Sequence, residues 1–251
     1  MLEHLIESYG DEDLHRRVGW VIKTHSTNRE DIRAVVGRSL DWPSVRRILD
    51  LGCGYGWLES SLNGEFEEIL GVDALEENAR PFLAAAHAKA RKADFRRIVL
   101  PASLPRESDS FDLVAAVYSL YFFPGILPEV GRVLEPGGTF LAVTHSEGML
   151  EEGEEFFHFR NLRGLIECFS AENGEEKLRR YFRAVTYVDY SNSLVFTRED
   201  GADLALYIAF KAEFISKDVD PTAVTERLLE ELHRRGSLSF NKNDRIFLAR
   251  K

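Results

Sequence analysis

The sequence predicts an α/β fold: an open, mostly parallel sheet covered by helices on both faces. Three observations carry this reading. Between Val45 and Thr144, short apolar runs alternate with amphipathic stretches, as strands joined by helical crossovers do. A glycine-rich segment, Gly52-Cys53-Gly54-Tyr55-Gly56, directly follows the first apolar run and reads as a strand-to-helix turn. A length of 251 residues with 44% hydrophobic and 29% charged composition suffices for one such sheet with an appendage.

Taken in order, Asp11 to Ile22 and Asn28 to Ser39 read as amphipathic helices. Between them Thr24-His25-Ser26-Thr27 offers hydroxyls suited to an N-cap, and Asp41-Trp42-Pro43 ends the second. Val45 to Asp50 is the first strand, and a helical stretch from Trp57 to Leu62 follows the glycine loop. Glu68 to Asp73 is the second strand, Pro81 to Ala90 a helix with proline in its first turn, Phe95 to Leu100 a third strand and Phe111 to Val117 a fourth. Ile126 to Leu134 is a short helix, Glu135 to Gly138 a turn and Thr139 to Thr144 a fifth strand. Beyond His145, an acidic run, the aromatics Phe156, Phe157 and Phe159, and two helices between Asn161 and Phe182 suggest an insertion over the sheet. Ala184 to Tyr190 and Arg245 to Arg250 have strand composition and are expected to pair antiparallel at one edge. Between them, Ala202 to Phe214 and Thr222 to Arg235 are helical by periodicity. The expected organisation is a single domain: an N-terminal helical cap over 1–44, a core over 45–146, a helical substrate-side region over 147–182, and the end of the sheet with a helical insertion over 183–251.

Acidic residues outnumber basic ones 42 to 32, and the net charge of -10 leaves no electrostatic footprint for a nucleic-acid backbone. Two cysteines, Cys53 and Cys168, exclude a disulfide framework and a multi-cysteine metal site, which fits a reducing compartment. The first residues carry Glu3 and Glu7 and lack the pattern of a secretory or transit signal, and the apolar stretch Leu113 to Phe123 is too short to span a bilayer. The chain is expected in the cytoplasm, without a membrane anchor. Glu154, Glu155 and His158 are spaced as metal ligands could be, but an acidic stretch reads as a solvated face, and no metal is expected.

The glycine loop has a chemical reading. Alternate glycines let a ligand lie against the backbone, and free N–H groups at a helix start favour an anionic group. Asp73, at the end of the second strand, is placed to accept both hydroxyls of a ribose. A nucleoside-containing ligand follows. The spacing Gly52-x-Gly54-x-Gly56 departs from the G-x-G-x-x-G of dinucleotide sites, which counts against NAD.

The motif set resembles the class I S-adenosylmethionine-dependent methyltransferases. It comprises Ile48 to Gly56, Gly71-Val72-Asp73, Leu104-Pro105 leading to Ser110-Phe111-Asp112-Leu113-Val114, and Arg132-Val133-Leu134-Glu135-Pro136-Gly137-Gly138, in that order. The resemblance spans roughly Val45 to Ser146. It implies a three-layer, doubly wound, Rossmann-like sheet of seven strands with the last antiparallel. It also implies that Asp50 and the backbone around Gly52, Cys53, Gly54 and Gly56 hold the methionine end of S-adenosylmethionine, that Asp73 holds the ribose, and that Ala74 and Leu75 flank the adenine. Where this family often places an acid for the adenine amino group the chain has Leu100, then Pro101, so the Ala102 or Ser103 backbone is expected to serve instead.

Methyl transfer needs alignment, exclusion of water and, for a hydroxyl or protonated amine, removal of a proton. His145, after the fifth strand, is the candidate base, and Tyr121, after the fourth, a candidate for orienting substrate; each also reads as a satisfied or packing residue. His25 is expected to face solvent, and Cys53 to serve as a small side chain in a tight loop. The aromatic clusters Tyr121 to Phe123 and Phe156 to Phe159 suggest either a largely apolar acceptor pocket or simply packing. The expected activity is methyl transfer from S-adenosylmethionine to a small-molecule acceptor, leaving S-adenosylhomocysteine. The alternatives are a non-catalytic nucleoside-binding regulatory module and, more remotely, a nucleic-acid methyltransferase. The acceptor, the atom methylated and the oligomeric state are not legible in these residues.

Overall fold

A computed structural model describes residues 11–156, 160–211 and 220–251. Phe157, His158 and Phe159 lie outside the described residues.

Two helices open the described chain, α1 (Glu12–His25) and α2 (Ile32–Ser39). Each begins on an aspartate whose carboxylate accepts a backbone N–H of the first turn: Asp11 from Leu14 (2.9 Å) and Asp31 from Arg33 (2.9 Å). Then follow β1 (Arg47–Leu51), β2 (Phe66–Asp73), α3 (Ala79–His87), β3 (Ala90–Arg97), β4 (Phe111–Val117), α4 (Leu127–Val133) and β5 (Leu134–His145). The chain continues through α5 (Arg160–Ile166), α6 (Gly174–Arg179), β6 (Ala184–Tyr190), β7 (Ser193–Thr197), α7 (Gly201–Lys211), α8 (Pro221–Arg235), β8 (Ser237–Asn241) and β9 (Asp244–Arg250).

Seven strands form one sheet in the order β3-β2-β1-β4-β5-β9-β6. The first five run parallel, and β9 lies between β5 and β6, antiparallel to both. The sheet reverses order between β1 and β4, so the carboxyl ends of these strands open a crevice. The expected pairing of the last two strands is present, with β6 rather than β9 at the edge. The sheet has an apolar layer on each face. One contains Leu49, Leu51, Val114, Phe140 and Phe247, and the other Ile48, Ile69, Leu113, Leu141 and Ile246. Alternate residues of the same strands thus serve opposite faces, as both-side burial requires.

Several expectations shift. The helix expected over Trp57 to Leu62 is a single 3-10 turn, Glu59–Ser61. The third strand begins at Ala90 rather than Phe95, because that polar, arginine-rich run gains its backbone partners from β2 and needs no apolar alternation at a sheet edge.

A second ladder, β7 with β8, was not apparent from the apolar pattern; Ser193↔Asn241 to Thr197↔Ser237 pair antiparallel. It anchors a separate apolar cluster in which Val18 and Val21 of α1, Leu162 and Ile166 of α5, Tyr207 of α7, Leu228 and Leu232 of α8 and Phe240 of β8 meet. Segments read separately as cap, substrate-side region and insertion therefore share one core. His25 is part of this junction rather than solvent-facing. It is buried, its Nε2 lies 2.8 Å from Asp203 Oδ2 and its ring packs 4.5 Å from Phe196. Among the described residues no helix is long and apolar enough to cross a membrane.

Candidate active site

The glycine loop leaves β1 at the crevice. Gly52 and Cys53 donate backbone N–H groups to Val72 O (2.7 and 3.2 Å), and Gly54 N–H donates to Asp73 Oδ2 (2.9 Å). Gly52 has φ +70°, and a Cβ there would lie 2.6 Å from Ser119 Cβ, so both the turn and the close approach of β4's exit require glycine. Gly54 has φ +51°, but a Cβ there would meet open space. The first glycine serves the fold, and the second faces the crevice.

Asp73 holds the loop as well as facing it. Besides Gly54, its carboxylate accepts Leu75 N–H (2.9 Å) and Asn78 Nδ2 (3.2 Å), three bonds of the about four a carboxylate can take. Asp50 is buried at the loop's root, with Oδ1 lacking a hydrogen-bond donor among the described residues. Burial pushes the Asp50 carboxyl well up, aided by neighbouring Glu59 and Asp73. Burial also raises the Cys53 thiol, keeping it a protonated, unreactive side chain in the loop. Ala74 follows Asp73, and Ala102 and Ser103 sit on the loop after β3. That loop is pinned to α4: Leu104 N–H donates to Glu129 (2.9 Å), as does the Ser103 hydroxyl, and Arg132 donates to Leu104 O (3.2 Å) and Arg106 O (2.7 Å).

On the other side of the crevice, His145 at the end of β5 is buried, and its Nδ1 lies 2.6 Å from Asp244 Oδ1 at the start of β9. The second oxygen of Asp244 accepts the Tyr118 hydroxyl (2.7 Å) and Lys242 Nζ (2.9 Å). Tyr118, at φ +54° where β4 ends, stacks on His145 at 4.7 Å, and Tyr121 stacks beyond it at 6.0 Å. Buried Lys211 from α7 lies 5.9 Å from the Tyr207 ring, and the buried Tyr207 hydroxyl has no partner among the described residues. Burial, followed by the charge of Lys242, lowers His145 to about 4 against the opposing pull of Asp244. The imidazole is therefore neutral at pH 7. With Nδ1–H given to Asp244, Nε2 keeps its lone pair. Burial likewise lowers Lys211 to about 7, with Lys242 adding to the effect, while Lys242 and His145 hold Asp244 at about 2 despite its burial.

The two halves touch. Ser119 sits against Gly52 and donates to Leu51 O (2.6 Å), and Trp57, just past the loop, lies 6.1 Å from Tyr118. Of the expected residues, Asp50, Gly52, Cys53, Gly54, Gly56 and Asp73 converge at the first half, and His145 and Tyr121 at the second. Phe156 instead packs on the second core beneath Arg227 and Arg235. Sequence reasoning missed Tyr118 as a hydrogen-bonding group, Lys211, Lys242 and Asp244. The segment Asn241-Lys242-Asn243-Asp244 has the composition of an ordinary hairpin turn, and nothing in its local pattern points to His145.

Residues 49–142 match the family model of a methyltransferase domain. The match takes in the glycine loop and Asp73. The domain's sequence relatives include the uncharacterized methyltransferase YcgJ of Bacillus subtilis, 30% identical over 121 residues (46% of this chain and 47% of YcgJ). Another is the chloroplastic tocopherol O-methyltransferase of Arabidopsis thaliana, 32% identical over 117 residues (44% and 33%). The chain thus spans about half or less of the length of these curated relatives. The crystal structure of YcgJ aligns with TM-score 0.55 at 20% identity, covering 94% of this chain and 98% of that one. A putative methyltransferase from Bacillus halodurans aligns with TM-score 0.59 at 14% identity, covering 87% and 98%. These two structures share the domain's fold.

Proposed function

We propose that this chain is an S-adenosylmethionine-dependent methyltransferase acting on a small-molecule acceptor. The observation that carries the reading is the loop geometry: an open-faced Gly54 at the carboxyl end of β1, locked to Asp73 at the end of β2. The chain's residues fit the cofactor. Gly54 leaves room for a ligand against the backbone, and Asp50 brings an unpartnered buried carboxyl oxygen, suited to an ammonium group. Asp73 retains acceptor capacity for ribose hydroxyls, Ala74 lies where the adenine would pack, and the pinned Ala102–Ser103 segment offers backbone groups to its edge. S-adenosylmethionine, when bound, supplies an electrophilic methyl group on a sulfonium leaving group.

His145 is the proton acceptor in this reading. A base held near pH 4 is weak, but an acceptor hydroxyl or amine becomes strongly acidic as the methyl bond forms, so a neutral imidazole suffices late in an in-line transfer. Asp244 fixes the tautomer and stabilises the imidazolium, Tyr118 and Lys242 fix Asp244, and Tyr121 walls the ring. Lys211 and Lys242 favour an acceptor with a polar or negatively charged group, more than the wholly apolar one the aromatic residues suggest. The buried His145–Asp244 pair favours catalysis over mere nucleoside binding.

The test is titration calorimetry of S-adenosylmethionine and S-adenosylhomocysteine on the native chain and on Asp73→Ala, with NAD as control. Both adenosyl ligands should bind natively, and Asp73→Ala should weaken them on the order of 100-fold, as loss of charged hydrogen bonds implies. Failure of both to bind, or binding of NAD alone, would sink the reading.

A further inference from the structure

Glu59 is fully buried in the 3-10 turn after the glycine loop, and neither of its carboxyl oxygens meets a donor among the described residues. Its neighbour is Asp50, itself buried, with Oδ1 also lacking a donor, and the two carboxyls bear directly on each other. Two ionised carboxylates are acceptors only and cannot bond to one another; one proton between them makes the bond possible. Three orphan carboxyl oxygens at one buried point are costly unless protonated or met by a cation. The other titratable groups bearing on the pair are Asp73 at the end of β2 and the Cys53 thiol, and neither is a cation.

We infer that Asp50 and Glu59 form a proton-sharing carboxyl pair that is the seat of a ligand's ammonium group, and that binding of that ammonium expels a proton from the pair. This rests on the cofactor reading above, in which the methionine end lies at the loop. Glu59 is a positioning residue here: it acts through Asp50. The balance is simple. The empty pair is neutral at acid pH with two protons. The ammonium, positively charged on arrival, requires one net negative charge, so one proton leaves to solvent and the other stays shared. Burial raises the Glu59 carboxyl to about 7 and Asp50 higher than usual, which places the exchange within reach of ordinary buffers.

The experiment titrates the native chain at pH 6 with S-adenosylhomocysteine in two buffers of different ionisation enthalpy. A parallel titration uses 5′-methylthioadenosine, which has the nucleoside but no amino-acid end. The expected result is release of most of one proton with S-adenosylhomocysteine, none with methylthioadenosine, and an affinity for the former that rises close to tenfold between pH 5.5 and 6.5 before levelling above pH 7. Glu59→Gln removes what Glu59 adds to the raised Asp50 carboxyl but not the effect of burial, so proton release at pH 6 should be smaller than in the native chain. Equal release by both ligands, no release natively, or unchanged release in Glu59→Gln would each overturn the inference.

A cofactor-free measurement separates it from the cofactor reading. Raised carboxyl values mean the empty fold is favoured at acid pH and loses stability as pH rises through about 7. Measured against Glu59→Gln, so that the opposite slopes of His145 and Lys211 cancel, the native melting temperature should therefore slope downward as pH rises from about 5 to 7. Absence of this slope overturns the pair itself, whereas failure of both ligands to bind while the slope is present overturns only its assignment to the ammonium.

Discussion

The two halves of the site are built in different ways. The half proposed to hold the methyl donor joins residues close in sequence: Gly54 and Asp73, bonded at 2.9 Å, are 19 positions apart. The half proposed to receive the acceptor joins distant ones: His145 and Asp244 are 99 positions apart, and Tyr118 and Asp244 are 126 apart. A single strand-loop-strand unit positions the first half, so its residues must keep a fixed spacing and leave a readable motif. The second depends on β9 being inserted antiparallel beside β5, where the register His145↔Asp244 brings the pair together. Chemistry assembled by register rather than by local spacing leaves no local signature.

This contrast can be broken by substitution. The largest effect is expected for Asp244→Asn. It leaves Lys242 buried without its counter-charge and disturbs the His145 tautomer, so stability should fall by about 3 kcal/mol and turnover by at least 100-fold. Chemical denaturation and single-turnover methyl transfer measure the two separately. His145→Gln should lower kcat on the order of 10²–10⁴ while leaving S-adenosylhomocysteine affinity within a factor of about two, because only the acceptor half is touched. Equal losses in kcat and affinity would mean that the halves are not separable.

Acid sharpens the comparison. His145 is held near 4 against an ordinary 6.5, so the folded state resists its protonation. The contribution of His145 is full above pH 6.5 and is lost as pH falls from there to about 4, by up to about 3 kcal/mol, opposed over the same range by the raised Asp50 and Glu59 carboxyls. Asp244, held near 2, adds its own loss only below about pH 4. Denaturation midpoints across pH 7 to 4 should show the native chain losing stability relative to His145→Gln, a difference from which the opposite slope of the carboxyl pair cancels. The smallest effect belongs to the donor half. Gly54→Ala should cost about 1 kcal/mol of stability from its positive φ, since a Cβ meets open space, yet weaken S-adenosylhomocysteine binding by roughly tenfold or more. Retained affinity would show that the ligand does not lie against Gly54.

By itself, the sequence determined the alternation that makes the parallel sheet, the glycine turn with Asp73 after it, and the placement of His145 at the end of β5. Each follows from periodicity or spacing within a few dozen residues, where backbone geometry alone decides what can meet. Only the tertiary structure decided the β7–β8 ladder, the burial of His25 against Asp203, the pairing of Glu59 with Asp50, and the Tyr118–His145–Lys242–Asp244 constellation. The ladder pairs strands about 40 residues apart, beyond the reach of local spacing, and the other three share one reason. A polar side chain in a turn or helix reads as solvated until long-range packing removes the water, and only then do its partners and its charge state become defined.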